Sequence, residues 1–230
     1  MATATYLARR GQLETYFDRT AAQAWARLTS DAPVSGIRAT VRAGRDRMRA
    51  TLLDWLPADL HGRRILDAGC GTGALAVEAA QRGADVVAID LSATLVDLAR
   101  ERVPAGLRID FRVGDMLDPA LGLFDHVVGM DSLIHYNAPD MARVVAGLAS
   151  QATTSVMFTF APLTPMLWAM HAAGRLFPRG DRAPAIEPVA GTRIRRLIAA
   201  TPSMAGWAPA RSHRVNSSFY ISCAQELVRA

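Results

Sequence analysis

An acid, three alternating glycines and a second acid about 20 residues further on are the residues of this chain best placed to do chemistry: Asp67, Gly69, Gly71, Gly73 and Asp90. Glycine lets the backbone pass beneath a ligand with no side chain in the way. Ala74-Leu75-Ala76-Val77-Glu78, directly after the turn, reads as the start of a helix, whose first N–H groups have no partner within the helix. A phosphate-binding dinucleotide turn would read Gly-x-Gly-x-x-Gly, whereas this one is Gly69-x-Gly71-x-Gly73 with Asp67 before it. The apolar run Ile65-Leu66-Ala68 predicts a strand leading into the turn. Asp85-Val86-Val87-Ala88-Ile89-Asp90 predicts a second, ending in a carboxylate at the spacing that suits ribose hydroxyls. A plain strand-to-helix turn would leave the three glycines unexplained.

These residues need a sheet to position them, and the chain supplies one. From Arg63 onward, predicted strands at 63–68, 85–90, 107–113, 124–130 and 153–161 alternate with helices at 92–103 and 139–150, which implies a parallel sheet covered on both faces. Ser92 is the expected N-cap of the first of those helices. Helix 192–200 and strands 207–214 and 217–227 finish the chain, with Val215-Asn216 as the expected hairpin turn. Before the sheet, residues 6–30 predict an amphipathic helix with Leu13, Tyr16, Phe17, Ala21, Ala24, Trp25 and Leu28 on one face. A second helix, from about Gly36 to Leu56, buries Ile37, Val41, Met48, Leu52 and Trp55 and lines up Arg38, Arg42, Arg45 and Arg49 on another face. That arginine row reads either as a solvated face or as a grip on carboxylates of a substrate or partner.

Composition bounds the rest. The 230 residues suit one large domain, and half of them are hydrophobic, ample for a buried core. All 26 basic residues are arginine, and the net charge is +5, which admits acidic partners without selecting one. The two cysteines, Cys70 and Cys223, form neither a disulfide framework nor a metal-ligand spacing, so a reducing cytoplasm is the expected compartment and no metal site in the protein is expected. The N-terminus, with Arg9, Arg10, Glu14, Asp18 and Arg19, is not expected to be a signal peptide. Val144 to Gly174 carries no formal charge, but Gly147, Pro162 and Pro165 interrupt it, so it reads as a greasy surface rather than a membrane span.

The glycine turn with Asp67 and Asp90 resembles motif I and the following acid of class I S-adenosylmethionine-dependent methyltransferases. That resemblance implies a Rossmann-like α/β fold, a seven-stranded mostly parallel sheet with an antiparallel last strand. It also implies S-adenosylmethionine as cofactor, with Gly69 and Gly71 facing its methionine part, Asp90 bonding the ribose, and Asp115 and Met116 holding the adenine. Asp67, Gly73, Leu91 and Asp131 complete the expected cofactor-binding set. The loop after the fourth strand, Asp131-Ser132-Leu133-Ile134, lacks the Asn/Asp-Pro-Pro-Tyr signature of enzymes that methylate amino groups of nucleic-acid bases, so no nucleic-acid partner is expected. His135 and Tyr136 follow at the edge of the expected active site and are the candidate catalytic residues.

A narrower resemblance covers most of the chain. Asp-x-Leu-Ile-His-Tyr at 131–136, Phe160-Ala161-Pro162-x-Thr164 with Phe177-Pro178, Tyr16-Phe17 with Trp25, Arg42-x-Gly44, and Ser218-Phe219-Tyr220 with Leu227-Val228-Arg229 are similar to magnesium protoporphyrin IX O-methyltransferases. This family commonly has Ile-Tyr-Gly where the chain has Leu28-Thr29-Ser30, and a glycine-histidine pair where it has Gly44-Arg45, so the family's tyrosine role is not carried over. The resemblance implies O-methylation of a porphyrin propionate in (bacterio)chlorophyll biosynthesis, with magnesium only as part of the substrate. It points to Tyr16, Trp25 and Arg42 as substrate contacts, to the porphyrin-binding subunit of magnesium chelatase as a partner, and to a peripheral contact with the photosynthetic membrane. The residues themselves agree. A flat apolar ring with propionates on one edge needs an oily slot with cations at its rim, and Met166, Trp168 and Phe177 with Arg175 and Arg179 offer one, although each could equally be ordinary core. The expected organisation is a helical lid over residues 1–57 and a methyltransferase domain over 58–230 with a lid insertion at about 162–190. Two rivals stay open: another small-molecule O- or C-methyltransferase, and a non-catalytic S-adenosylmethionine-binding scaffold.

Overall fold

The computed structural model describes residues 3–20, 29, 36–163 and 185–230. Seven strands form one sheet in the order β3-β2-β1-β4-β5-β7-β6: β1 (Arg64–Ala68), β2 (Asp85–Asp90), β3 (Ile109–Val113), β4 (Phe124–Gly129), β5 (Ala152–Phe160), β6 (Trp207–Ser217) and β7 (Tyr220–Arg229). The first five pair in parallel, and β7 is antiparallel to both β5 and β6. The central strands are nearly continuous apolar runs because helices cover them on both faces. Two separate buried clusters result. One contains Leu66, Val127, Val145, Phe158 and Ile194, the other Met48, Leu52, Ile65, Val128 and Met157.

The helices follow their sequence signals closely in the sheet region. They are α1 (Ala4–Thr15), α2 (Gly36–Trp55), α3 (Ala74–Gln81), α4 (Ala93–Arg102), α5 (Ala138–Ser150) and α6 (Gly191–Ala199). Ser92 does cap α4, its side chain accepting from the Leu95 N–H. Asn137 caps α5 in the same way, accepting from Asp140. Strand order reverses between β1 and β4, so the loops after these two strands diverge and open a crevice at the carboxyl edge of the sheet.

Three expectations are corrected. The first helix starts earlier than residue 6, capped by Thr3, and its winding changes at Tyr16 to a π turn over Tyr16–Thr20; residues 21–28 lie outside the described residues. Ile37 is not part of the buried stripe of α2 but 57% exposed, and the buried positions are Gly44, Met48, Leu52 and Leu53. The hairpin between β6 and β7 turns at Ser218-Phe219, not at Val215-Asn216. Val215 is apolar and buried, paired across the ladder with Ser222, so the strand continues through it, and Ser218 takes the left-handed turn position at φ 51°.

Candidate active site

The glycine turn closes over the end of β2. Gly69 and Cys70 both donate their N–H groups to the Ile89 carbonyl, at 2.8 and 3.0 Å, Gly71 donates to Asp90 Oδ2 at 2.9 Å, and Gly73 donates to the Cys70 carbonyl. These amides are satisfied within the protein, which separates the turn from a phosphate cradle, where they would point at the ligand. Gly69 needs to be glycine twice over. Its φ is +85°, and a Cβ there would lie 2.3 Å from Cβ of Ser132. Gly73 differs from its expected role: it does not line the cavity but packs against Phe111 and Ala99 as the start of α3.

Two carboxylates lie under this turn. Asp90 accepts from the N–H groups of Gly71 and Ser92, both at 2.9 Å, one on each oxygen, which leaves lone pairs on both for hydroxyl donors. Burial pushes its carboxyl up, and those backbone bonds hold it back. Asp67 is 2% exposed, and its Oδ2 has no partner. Burial, followed by the neighbouring Asp90 charge, pushes its carboxyl up to about 7, against a bond from the Ala76 N–H that lowers it. An orphaned buried carboxylate oxygen in a cavity wall is a demand for a cation or a donor. Burial also pushes the Cys70 thiol well up, with Asp67 and Asp90 adding to it, so the thiol between them stays neutral and offers no nucleophile.

The cavity these groups line measures about 290 Å³. Leu91, Asp115 and Met116 lie on one wall. Asp115 is engaged by α1: the Tyr6 hydroxyl donates to Oδ1 and Arg10 to Oδ2, both at 2.7 Å, and the Leu117 N–H adds a third bond. Tyr6 in turn stacks on Tyr136, ring centroids 5.3 Å apart. Tyr136 is 1% exposed, a buried platform for α1 at the cavity wall, and burial pushes its hydroxyl far up. The opposite wall is the loop after β4. Asp131 takes the left-handed conformation at φ 56° and its carboxylate accepts from Arg45, Tyr220 and Thr159. Ser132 lies against Gly69, its Oγ buried without a partner. His135 is 8% exposed, with Nδ1 3.4 Å from the Ala185 carbonyl oxygen and its ring edge-on to Phe17.

On the substrate side, Arg42 lines the cavity, joined by Arg45 and Arg49 of the same helix face. The arginine row is thus not solvated throughout, and two of its members are engaged in ion pairs. Arg45 pairs with Asp131 and Arg49 with Glu78 and Asp46, while Arg38 is exposed. Tyr16 does not line the cavity. It packs edge-on against Phe17, which does. Trp25, Met166, Trp168 and Phe177, with Arg175 and Arg179, lie outside the described residues. Sequence reasoning missed Tyr6 and Arg10 as parts of this site, since their spacing carries no local motif and only long-range packing brings them in; Arg45, Ser132 and Tyr220 stand in motifs of the sequence that assign them no role of their own here.

The residues present fit a cationic, ribose-bearing cofactor without a phosphate group: an orphaned buried carboxylate, a glycine turn with its amides already spent, and a second carboxylate with lone pairs to spare. Among the described residues no group of His, Cys, Asp and Glu is gathered as a metal site, and no helix is long and apolar enough to cross a membrane.

Comparison with known proteins gives the following. Residues 129–229 match the family model described as magnesium-protoporphyrin IX methyltransferase C-terminus, and residues 65–152 match a methyltransferase domain model. Magnesium-protoporphyrin O-methyltransferase of Rhodobacter capsulatus is 51% identical over 216 residues, 93% of this chain and 93% of that protein. Its counterpart in Synechocystis is 30% identical over 94% of each chain. The crystal structure of magnesium protoporphyrin IX methyltransferase from Synechocystis with bound S-adenosylhomocysteine superposes with a TM-score of 0.86 at 28% identity, covering 96% of this chain and all of that one. The form with bound S-adenosylmethionine superposes with a TM-score of 0.81 at 26% identity, covering 99% of this chain.

Proposed function

Since this chain belongs to the magnesium-protoporphyrin O-methyltransferase family, we infer that it transfers a methyl group from S-adenosylmethionine to a propionate carboxylate of magnesium protoporphyrin IX, giving the monomethyl ester in (bacterio)chlorophyll biosynthesis. The observation that carries this reading is the similarity to the Rhodobacter capsulatus enzyme, 51% identical over 93% of both chains, together with the family-model match over residues 129–229, which takes in the loop after β4 and the closing hairpin. When bound, S-adenosylmethionine supplies an electrophilic methyl group on a positively charged sulfur.

The residues divide the work as follows. Asp90 takes the ribose hydroxyls, and Asp67, with Gly69 and Gly71, takes the cationic methionine end, where its orphaned oxygen supports the assignment. Met116 and Leu91 pack the adenine, and Asp115, already held by Tyr6, Arg10 and the Leu117 N–H, has one acceptor site left, on Oδ2, for its amine. A propionate is ionised at neutral pH with an ordinary pKa of about 4–5, so the chain needs no strong base. Its task is to orient the carboxylate and keep water away. Arg42 at the cavity rim supplies a cation for a propionate, and α1 with Leu13 and Phe17 closes the site as a lid.

His135 places the ring. Its Nδ1 lies 3.4 Å from the Ala185 carbonyl oxygen, and a proton held there would leave Nε2 an acceptor, suited to the magnesium carried by the substrate rather than to a carboxylate. Coordination of that magnesium is therefore the role assigned to His135, and Tyr136 supports the wall behind. Two finer expectations belong to the same reading: receipt of the porphyrin from the chelatase subunit that holds it, and a peripheral membrane contact. The first is what the family resemblance implies; the second suits a flat, apolar substrate, and the exposed Ile37 and Phe219 are apolar surface of the kind it needs. Incubation with S-adenosylmethionine and magnesium protoporphyrin IX should yield the monoester by mass. S-adenosylhomocysteine formed only with other acceptors would reassign the substrate.

A further inference from the structure

Three motifs far apart in sequence, Arg42-x-Gly44 with Arg45, the loop beginning at Asp131, and Ser218-Phe219-Tyr220, converge on one spot beside the cavity. Gly44 is buried in α2, and a Cβ there would lie 2.6 Å from Cδ1 of Tyr220, so glycine alone lets α2 come this close to β7. The next residue, Arg45, donates to Asp131 Oδ2 at 2.6 Å. The Tyr220 hydroxyl reaches the same carboxylate, 3.0 Å from Oδ1 and 3.2 Å from Oδ2. From β5, the fully buried Thr159 accepts the Asp131 N–H at 2.7 Å and donates its hydroxyl to Oδ1 at 3.2 Å. The Asp131 side chain is only 6% exposed. Its backbone, at φ 56°, lies in the left-handed region, which a non-glycine residue such as Asp enters with the help of side-chain hydrogen bonds of this kind. From this residue the chain runs into Ser132, seated on Gly69 of the glycine turn, and on to His135.

We propose that Arg45, Tyr220 and Thr159 are positioning residues: they hold Asp131 in its left-handed turn, and so set the loop 131–136 against the glycine turn with His135 in the cavity. The Asp131 carboxylate then anchors the loop to α2, β5 and β7 and serves structure rather than the cofactor. Helix α2, through Gly44 and Arg45, becomes a structural part of the reaction centre. The inference deepens the methyl-transfer reading and rests on it for its kinetic test.

Tyr220→Phe keeps the ring over Gly44 and removes only the hydroxyl. It should lower kcat for magnesium protoporphyrin about tenfold, as a misoriented site does, with KM and the S-adenosylmethionine Kd changed by less than about twofold. Asp131→Asn keeps an acceptor for Tyr220 and Thr159 and tolerates the left-handed turn, so it should retain more kcat than Asp131→Ala. A readout independent of turnover is the imidazole NMR signal of His135, assigned by its loss in His135→Gln, which should move in Tyr220→Phe. Wild-type kcat and an unmoved His135 signal in Tyr220→Phe would overturn the proposal. So would an Asp131→Asn variant that loses cofactor affinity as strongly as Asp131→Ala, since the carboxylate would then serve the cofactor. If the wild-type protein forms no monoester, the substrate assignment fails instead, and the NMR comparison alone decides the positioning role.

Discussion

His135 and Asp90 ask for opposite signatures when they are removed. An axial ligand binds substrate more than it stabilises the transfer, so His135→Ala should raise KM for magnesium protoporphyrin and leave S-adenosylmethionine affinity unchanged. Metal-free protoporphyrin should bind wild type and variant alike. A drop in kcat alone, of about 10²-fold, would instead make His135 a hydrogen-bonding group for the propionate. Asp90→Ala acts on the cofactor side. It removes charge-assisted hydrogen bonds worth about 1.5–3 kcal/mol each, and the structure adds a cost invisible in the sequence, because the same carboxylate holds the N–H of Gly71 and of Ser92. Calorimetry should show cofactor affinity falling at least about tenfold, a loss of 1.4 kcal/mol or more, together with a lower Tm. An unchanged affinity would take Asp90 out of the site.

At the scale of elements, α1 is fastened over the cavity by polar contacts along its length and just beyond it. Thr3 donates to Asp140 at 2.8 Å, Tyr6 and Arg10 to Asp115, Arg9 reaches Glu187 at 3.3 Å, and Asp18 accepts from the Ser92 hydroxyl at 2.6 Å and the Thr94 N–H at 3.2 Å. Tyr6→Phe tests the centre of this set. The ring can stay stacked on Tyr136, but Asp115 loses a partner, at a cost of about 1–3 kcal/mol. The Tm should fall, and stopped-flow dissociation of S-adenosylmethionine should quicken while kcat changes little. Dissociation at the wild-type rate would mean that α1 does not gate the cofactor. The sequence marks a helix here, but none of these contacts. The sheet elements could be read because each carries its own period, cap and turn chemistry, as Ser92 and the glycine turn do. The place of Tyr6 could not, because nothing local marks it and its partner Asp115 is 109 residues away. The turn at Ser218-Phe219 was missed for a related reason: Asn216 is a better turn former by type, but Val215 pairs with Ser222 inside the sheet and carries the strand past it.

Over the whole molecule, the sheet brings a buried carboxylate, Asp67, and a half-buried one, Asp90, to its carboxyl edge, and that placement makes folding, cofactor binding and pH one linked equilibrium. Asp67 has its carboxyl raised to about 7 in the folded chain, against about 3.9 when unfolded. Between those values the native state holds a proton that the unfolded state has released. Its contribution to stability is therefore fully present below about pH 4 and is lost as pH rises towards 7. A cation beside Asp67 reverses the balance, since it favours the ionised carboxylate. Binding of S-adenosylmethionine near pH 6 should then expel up to about one proton, and the Tm gain at a fixed cofactor concentration should be larger at pH 8 than at pH 6. Calorimetry in buffers of different ionisation enthalpy measures the first quantity and thermal melts the second. Asp67→Asn should abolish the proton release and flatten the pH dependence, whereas Cys70→Ser, a neighbour in the same turn whose thiol stays neutral, should preserve both. A binding enthalpy that is the same in every buffer would show that no cation meets Asp67, and the methionine end of the cofactor would have to be placed elsewhere along the turn.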